Sequence, residues 1–127
     1  MSVQITITIE EDVAIVKIVG QLGLEELLDA NKRLARNGRF ICTRRLWDLR
    51  ESFINFSATE IQTIAEFGDQ ADQRKAKVVL LVSSDLSFGL SRMFQAFRKS
   101  PFTEVAVHRD ESEAMRWLLS DEMEERS

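Results

Sequence analysis

The stretch Lys77-Val78-Val79-Leu80-Leu81-Val82 constrains the fold more than any other part of the chain. From Val78 to Val82 every residue is aliphatic, with no polar residue alternating among them. A strand with one face in water alternates. A strand that is apolar on both faces belongs in the middle of a sheet covered above and below. Ser83 to Gly89 follows, rich in turn formers. Leu90, Met93, Phe94 and Phe97 then fall at i, i+3, i+4 and i+7, the stripe of an amphipathic helix over about 90–99. Pro101 ends it, and Thr103 to Val107 reads as a short strand. Strand, helix and strand make a βαβ unit whose crossover lies across one face of the sheet.

The rest of the chain extends that unit. Val3 to Ile9 alternates apolar and polar strictly, as a half-exposed edge strand does. Glu10-Glu11-Asp12 turns the chain into a more apolar strand over 13–19, and the two predict an antiparallel hairpin. A helix is predicted from Leu24 to Arg36, with its acids early and its bases late to suit the macrodipole, and with Asn37-Gly38 as its left-handed stop. Arg45 to Leu49 is the next strand. Phe53, Ile54 and Phe56 are too apolar for an idle loop and are expected to pack back on the sheet. Ser57-Ala58-Thr59-Glu60 is a capping box that opens a helix to about residue 70. Asp110 to Glu113 opens the last helix, with Ala114, Trp117 and Leu118 inward. The order β-β-α-β-α-β-α-β-α gives an α/β fold, a mixed sheet of about five strands with four helices. One domain is expected over 1–119, followed by a charged tail at 120–127.

Composition narrows the function classes. The formal net charge is −4, which supplies no overall counterion-release drive and argues against a nucleic-acid partner. No apolar run approaches the ~20 residues of a membrane span. The start of the chain shows no basic and apolar leader pattern, and Cys42 is the only cysteine, so a cytoplasmic protein is expected. No His or Cys pair has metal-ligand spacing, and there is no Walker loop or Gly-x-Gly-x-x-Gly, so no cofactor is expected.

Several residues are candidates for function. Asp48 and Asp85 fall at the C-terminal ends of two strands, the rim where open α/β sheets place their sites. The alternative for both is that they hold turns by accepting loop N–H bonds. His108 completes an acid–base set with them only if all three meet. Ser57 is complete as an N-cap, and a phosphate there would change any surface that a partner reads. Phe88, Met93, Phe94, Phe97 and Phe102, with Arg98 and Lys99, combine aromatic bulk and basic charge. Such a helix ordinarily covers a sheet; a mobile one can roof a lipophilic pocket or touch an anionic membrane surface. Lys32, Arg33, Arg36, Arg39, Arg44, Arg45 and Arg50 form a basic run, read as solvated surface with an acidic partner as the alternative.

These residues also carry a family resemblance. Val16 to Leu22, a helix, a strand ending in Asp48, the capped helix at Ser57, the strand at 78–82 and the final strand and helix together resemble the STAS fold of anti-sigma-factor antagonists. Asp85-Leu86-Ser87-Phe88-Gly89-Leu90-Ser91-Arg92-Met93-Phe94 and His108 to Leu118 resemble more closely the SpoIIAA-like (STAS/Sec14-like) family, over residues 3 to 119. The resemblance implies a non-enzymatic module that binds a regulatory protein and is switched at a serine at a helix start. Asn55-Phe56-Ser57-Ala58 stands where antagonists have Asp-Ser-Ser-Gly; the serine is kept, and the aspartate and glycine are absent. The Sec14 likeness implies, as an alternative, a lipophilic ligand under the helix at 90–99.

Overall fold

The computed structural model describes residues 2–120; of the tail expected at 120–127, residues 121 onward lie outside the described residues. Strands β1 (Gln4–Glu10) and β2 (Val13–Gln21) form the expected antiparallel hairpin. After α1 (Leu24–Arg33), two short strands, β3 (Ala35–Arg36) and β4 (Arg39–Phe40), pair with each other. Then come β5 (Arg44–Phe53), α2 (Ala58–Ala71), β6 (Ala76–Leu81), α3 (Asp85–Phe97), β7 (Thr103–His108) and α4 (Glu111–Leu119). The main sheet has the order β1-β2-β5-β6-β7, with β2, β5, β6 and β7 parallel. All six residues of β6 are buried between β5 and β7, as the unbroken aliphatic run requires. The mixed five-stranded α/β sheet with four helices is the fold that the sequence predicts.

Alternation along the strands sorts the core into two layers. Trp47, Leu49, Val78 and Leu80 face one side, where Leu27 of α1, Ile64 of α2 and Phe94 of α3 pack on them. Leu46, Val79 and Leu81 face the other, where α4 is the only helix among the described residues that covers them, through Ala114 and Leu118. The carbonyls at the end of α4 are met by two cations, the buried Lys77 and the half-buried Arg44. Lys77 Nζ donates to the Trp117 carbonyl at 2.7 Å, and Arg44 Nη1 to that of Leu118 at 2.6 Å. Positive charge at a helix C-terminus satisfies carbonyls that have no partner in the helix and complements the dipole.

Four local expectations are corrected. Asn37 and Gly38 both have positive φ (55° and 77°) and make the two-residue turn of the β3–β4 hairpin, so α1 ends at Arg33 rather than Arg36. Two successive left-handed residues specify a type I′ hairpin turn, whereas a helix stop needs one. Helix α3 starts at Asp85 rather than Leu90, because Ser84 caps it by accepting the Ser87 N–H at 3.0 Å; the turn formers are the cap and first turn. Phe53 does not fold back: β5 runs on through it beside Gln21, and it stays 61% exposed. Arg45 of the basic run is not surface but 2% exposed.

The parallel arrangement gathers the N-termini of all four helices at the C-terminal rim of the sheet. Their C-termini and the β3–β4 ribbon lie at the opposite end.

Candidate functional site

The rim is built from strand ends and helix caps. Ser57 has extended backbone (φ −74°, ψ 165°), and its Oγ accepts the Glu60 N–H at 3.1 Å. Glu60 Oε1 accepts the Ser57 N–H at 2.9 Å in return, which is the expected capping box. The residue remains exposed. Beside it in the chain stand Phe53, exposed, and Phe56, half-buried, while Leu86 at the start of α3 is 50% exposed. These exposed apolar side chains stand at the rim where the helix N-termini gather.

The structure does not bring Asp48, Asp85 and His108 into one constellation. Asp48 accepts a two-pronged interaction from Arg50 (Nε to Oδ1 and Nη2 to Oδ2, both 2.9 Å), and Arg50 also reaches Glu111 of α4 at 3.1 Å. Asp85 is paired instead with Arg109 at 2.9 Å. His108 Nδ1 lies 3.8 Å from Glu113. Each group is tied to a different partner. Ser83 Oγ donates to the Arg50 carbonyl at 2.9 Å, stitching the ends of β5 and β6.

The aromatic and basic set on and after α3 divides. Phe94 and Arg98 line an apolar cavity between the sheet and the three helices, with Leu27, Trp47, Ile61 and Leu80 among the other walls. The cavity encloses about 70 Å³, roughly half of the ~150 Å³ apolar cavity that holds a benzene. Phe88, Met93, Phe97, Lys99 and Phe102 do not line it. Phe88 lies under the Arg92 and Arg109 guanidinium groups (5.9 and 4.8 Å), Met93 and Phe97 are half-buried, and Phe102 is 46% exposed.

Sequence reasoning missed the polar hub at the far end of this cavity. Asp72 Oδ2 accepts from Arg45 Nη2 and Arg98 Nη2, each at 2.7 Å, and all three side chains are nearly fully buried. Arg45 also donates to the Cys42 carbonyl at 2.8 Å and stacks 3.9 Å over Phe40. Burial pulls the Arg45 pKa down, and Asp72 opposes that. Gly68 makes room for the hub: a Cβ there would sit 2.8 Å from Arg98 Nη1. One signal was available. Arg45 shares its strand face with Trp47 and Leu49, which are core residues.

Two carboxylates contribute to the acid limb of stability. The Arg50 hydrogen bonds hold Asp48 below the usual carboxylate range against the effect of burial. Burial pushes Asp69 upward, but hydrogen bonds from Arg98 and from the Lys99 and Ser100 N–H groups outweigh it and leave Asp69 lowered. A depressed folded pKa contributes stability that is present above the unfolded value, about 3.9, and is lost as pH falls through the folded one. Urea unfolding across pH should therefore show wild type losing stability below about pH 4. D48N/D69N should start lower at neutral pH and fall less steeply in acid. Parallel acid limbs would contradict the assignment.

Among the described residues no group of three or more His, Cys, Asp or Glu side chains is placed to hold a metal, and no helix is long and apolar enough to cross a membrane. No family model and no curated protein matches the chain. Solved structures do. A DUF3478-family protein with a SpoIIAA-like fold from Shewanella loihica superposes with a TM-score of 0.60 at 18% identity, over 91% of this chain and 93% of that one. An anti-sigma factor antagonist from Mycobacterium paratuberculosis superposes with a TM-score of 0.61 at 8% identity, over 94% and 96%. At such identities the backbone is what is shared. The chain has the SpoIIAA/STAS-like fold.

Proposed function

We propose that this chain is a non-enzymatic binding module of the anti-sigma-factor-antagonist type, which docks a regulatory protein in the cytoplasm through the rim around Ser57. The observation that supports this reading most is the exposed Ser57 hydroxyl at the start of α2, with the uncovered Phe53 four residues before it at the end of β5. Asp85, at the start of α3 and held by Arg109, supplies an exposed charge to that face, whereas Asp48 lies within β5 rather than at its end, buried and held by Arg50. Phosphorylation of Ser57 would set close to two negative charges against the Glu60 carboxylate, open the capping box and change the face that a partner reads.

Two substitutions separate the structural role of Ser57 from its functional one. Ser57→Ala removes the cap and should cost about 1 kcal/mol of stability while partner binding persists. Ser57→Asp keeps a good cap and should hold stability within about 0.5 kcal/mol, yet weaken the partner by about tenfold or more through its charge. Urea unfolding and affinity for a partner retained from the cell of origin read both. Equal partner affinity for the two variants would remove the switch.

A second reading, a binder of lipophilic ligands or membrane surfaces, draws support from the apolar cavity against Phe94. At its present size an acyl chain enters only if α3 moves off the sheet. Native mass spectra without an apolar adduct, together with no retention on liposomes, would remove this reading.

A further inference from the structure

The end of the molecule opposite the rim carries a different chemistry. The Asn37-Gly38 turn places Arg36 directly across from Arg39 in a ribbon of only two residue pairs. Like charges facing each other across strands destabilise the pair, and the ribbon is held instead by Phe40, which is buried in the core. Arg74, from the link between α2 and β6, joins them: its Nη2 donates to the Ile41 carbonyl at 3.2 Å, and it lines an open hollow together with Arg36, Arg39, Asn37 and Ile41. Arg45, Arg50, Arg98 and Arg109 each face a carboxylate. Arg36, Arg39 and Arg74 face none among the described residues. The acids held in polar contacts nearby are engaged elsewhere, Asp12 by Thr43 and Asp72 by Arg45 and Arg98. Three exposed arginines line one open hollow without a carboxylate partner among the described residues, on a chain whose net charge is −4.

We infer that this hollow is an anion site that takes a phosphate group, as a free diphosphate or a phosphomonoester headgroup, clamped by Arg36, Arg39 and Arg74. The planar fork of arginine donates paired N–H bonds to phosphate oxygens, which lysine cannot match. A bound dianion would also remove the Arg36–Arg39 repulsion, so binding and ribbon stability are linked.

Calorimetric titration of the full chain with pyrophosphate tests the inference. Saturable binding is expected, weakened about tenfold or more in R36Q/R39Q. R36K/R39K should also bind more weakly, because it keeps the charge and loses the fork. R116Q, a charge change on α4, should leave affinity within about twofold. Without ligand, R36Q/R39Q should melt higher than wild type; pyrophosphate should raise the wild-type midpoint and leave that of the variant unmoved. Phosphatidylcholine vesicles with and without phosphatidic acid separate the two sources. Retention only with phosphatidic acid, lost in R36Q/R39Q, assigns the site to a headgroup, and titration by pyrophosphate alone assigns it to a soluble ligand. No saturation by either, equal binding of citrate, or an equal loss in R116Q would overturn the inference.

Discussion

Asp72→Ala is expected to lose about 3–5 kcal/mol of folding stability, because it leaves the buried Arg45 guanidinium without a carboxylate and Arg98 with Asp69 alone. Arg45 and Arg98 are 2% and 4% exposed at the side chain, so neither can turn to water without moving a helix or strand. The hub ties three elements: the start of β5, the end of α2 and the end of α3. Its loss should lower the melting midpoint by roughly 10–20 °C for a domain of this size, and α3 should loosen first at its Arg98 end. Asp72→Asn, which keeps acceptor geometry without the charge, should fall between. Asp85→Ala is the contrast: its carboxylate is 96% exposed in its pair with Arg109, and exposed pairs contribute between zero and about 1 kcal/mol. Thermal and urea unfolding followed by circular dichroism decide the matter. A loss below about 1 kcal/mol in Asp72→Ala would mean that the hub is a bystander.

Phe53→Asp should leave stability within about 0.5 kcal/mol, since the side chain is already 61% in water. Its effect on partner affinity should be about thirtyfold or more, the usual consequence of losing an apolar anchor at the centre of an interface. The position supports such a role. Phe53 closes β5 with its carbonyl accepting the Leu22 N–H at 3.0 Å, so the backbone is fixed while the ring projects from a rigid strand end. An anchor held this way loses little entropy on docking. Phe102 is 46% exposed and lies in the α3–β7 turn, at the other end of the sheet. Phe102→Asp should therefore leave the partner in place, and the two variants distinguish the rim from a general need for exposed aromatic surface.

The sheet was legible because its signals are non-local in cause yet local in sequence. An unbroken aliphatic run has one physical explanation, burial on both faces, and β6 provides it. The Ser57 capping box was legible for the same reason, since serine and glutamate three apart satisfy each other without reference to the rest of the fold. Asn37-Gly38 was not, because left-handed residues end helices and turn hairpins alike, and only the partner strand decides. Nor was the start of α3, where Ser84 and Asp85 suit a loop and a helix cap equally. The aromatic set after Phe88 divided because helical spacing states which residues share a stripe, not how deep the stripe lies; Ser87 and Ser91 are the deeply buried positions of α3. The hub joins residues 45, 72 and 98, so far apart in the chain that no window of sequence contains it.

Photo-crosslinking from position 53 tests the assignment of the rim most directly. With a benzophenone amino acid in place of Phe53, and in a second protein in place of Phe102, irradiation in the cell of origin should join a protein partner to position 53 and leave position 102 free. The adduct should fade when Ser57→Asp is added. A partner joined at position 102 and absent from position 53 would place the working surface elsewhere and contradict the role given to Ser57.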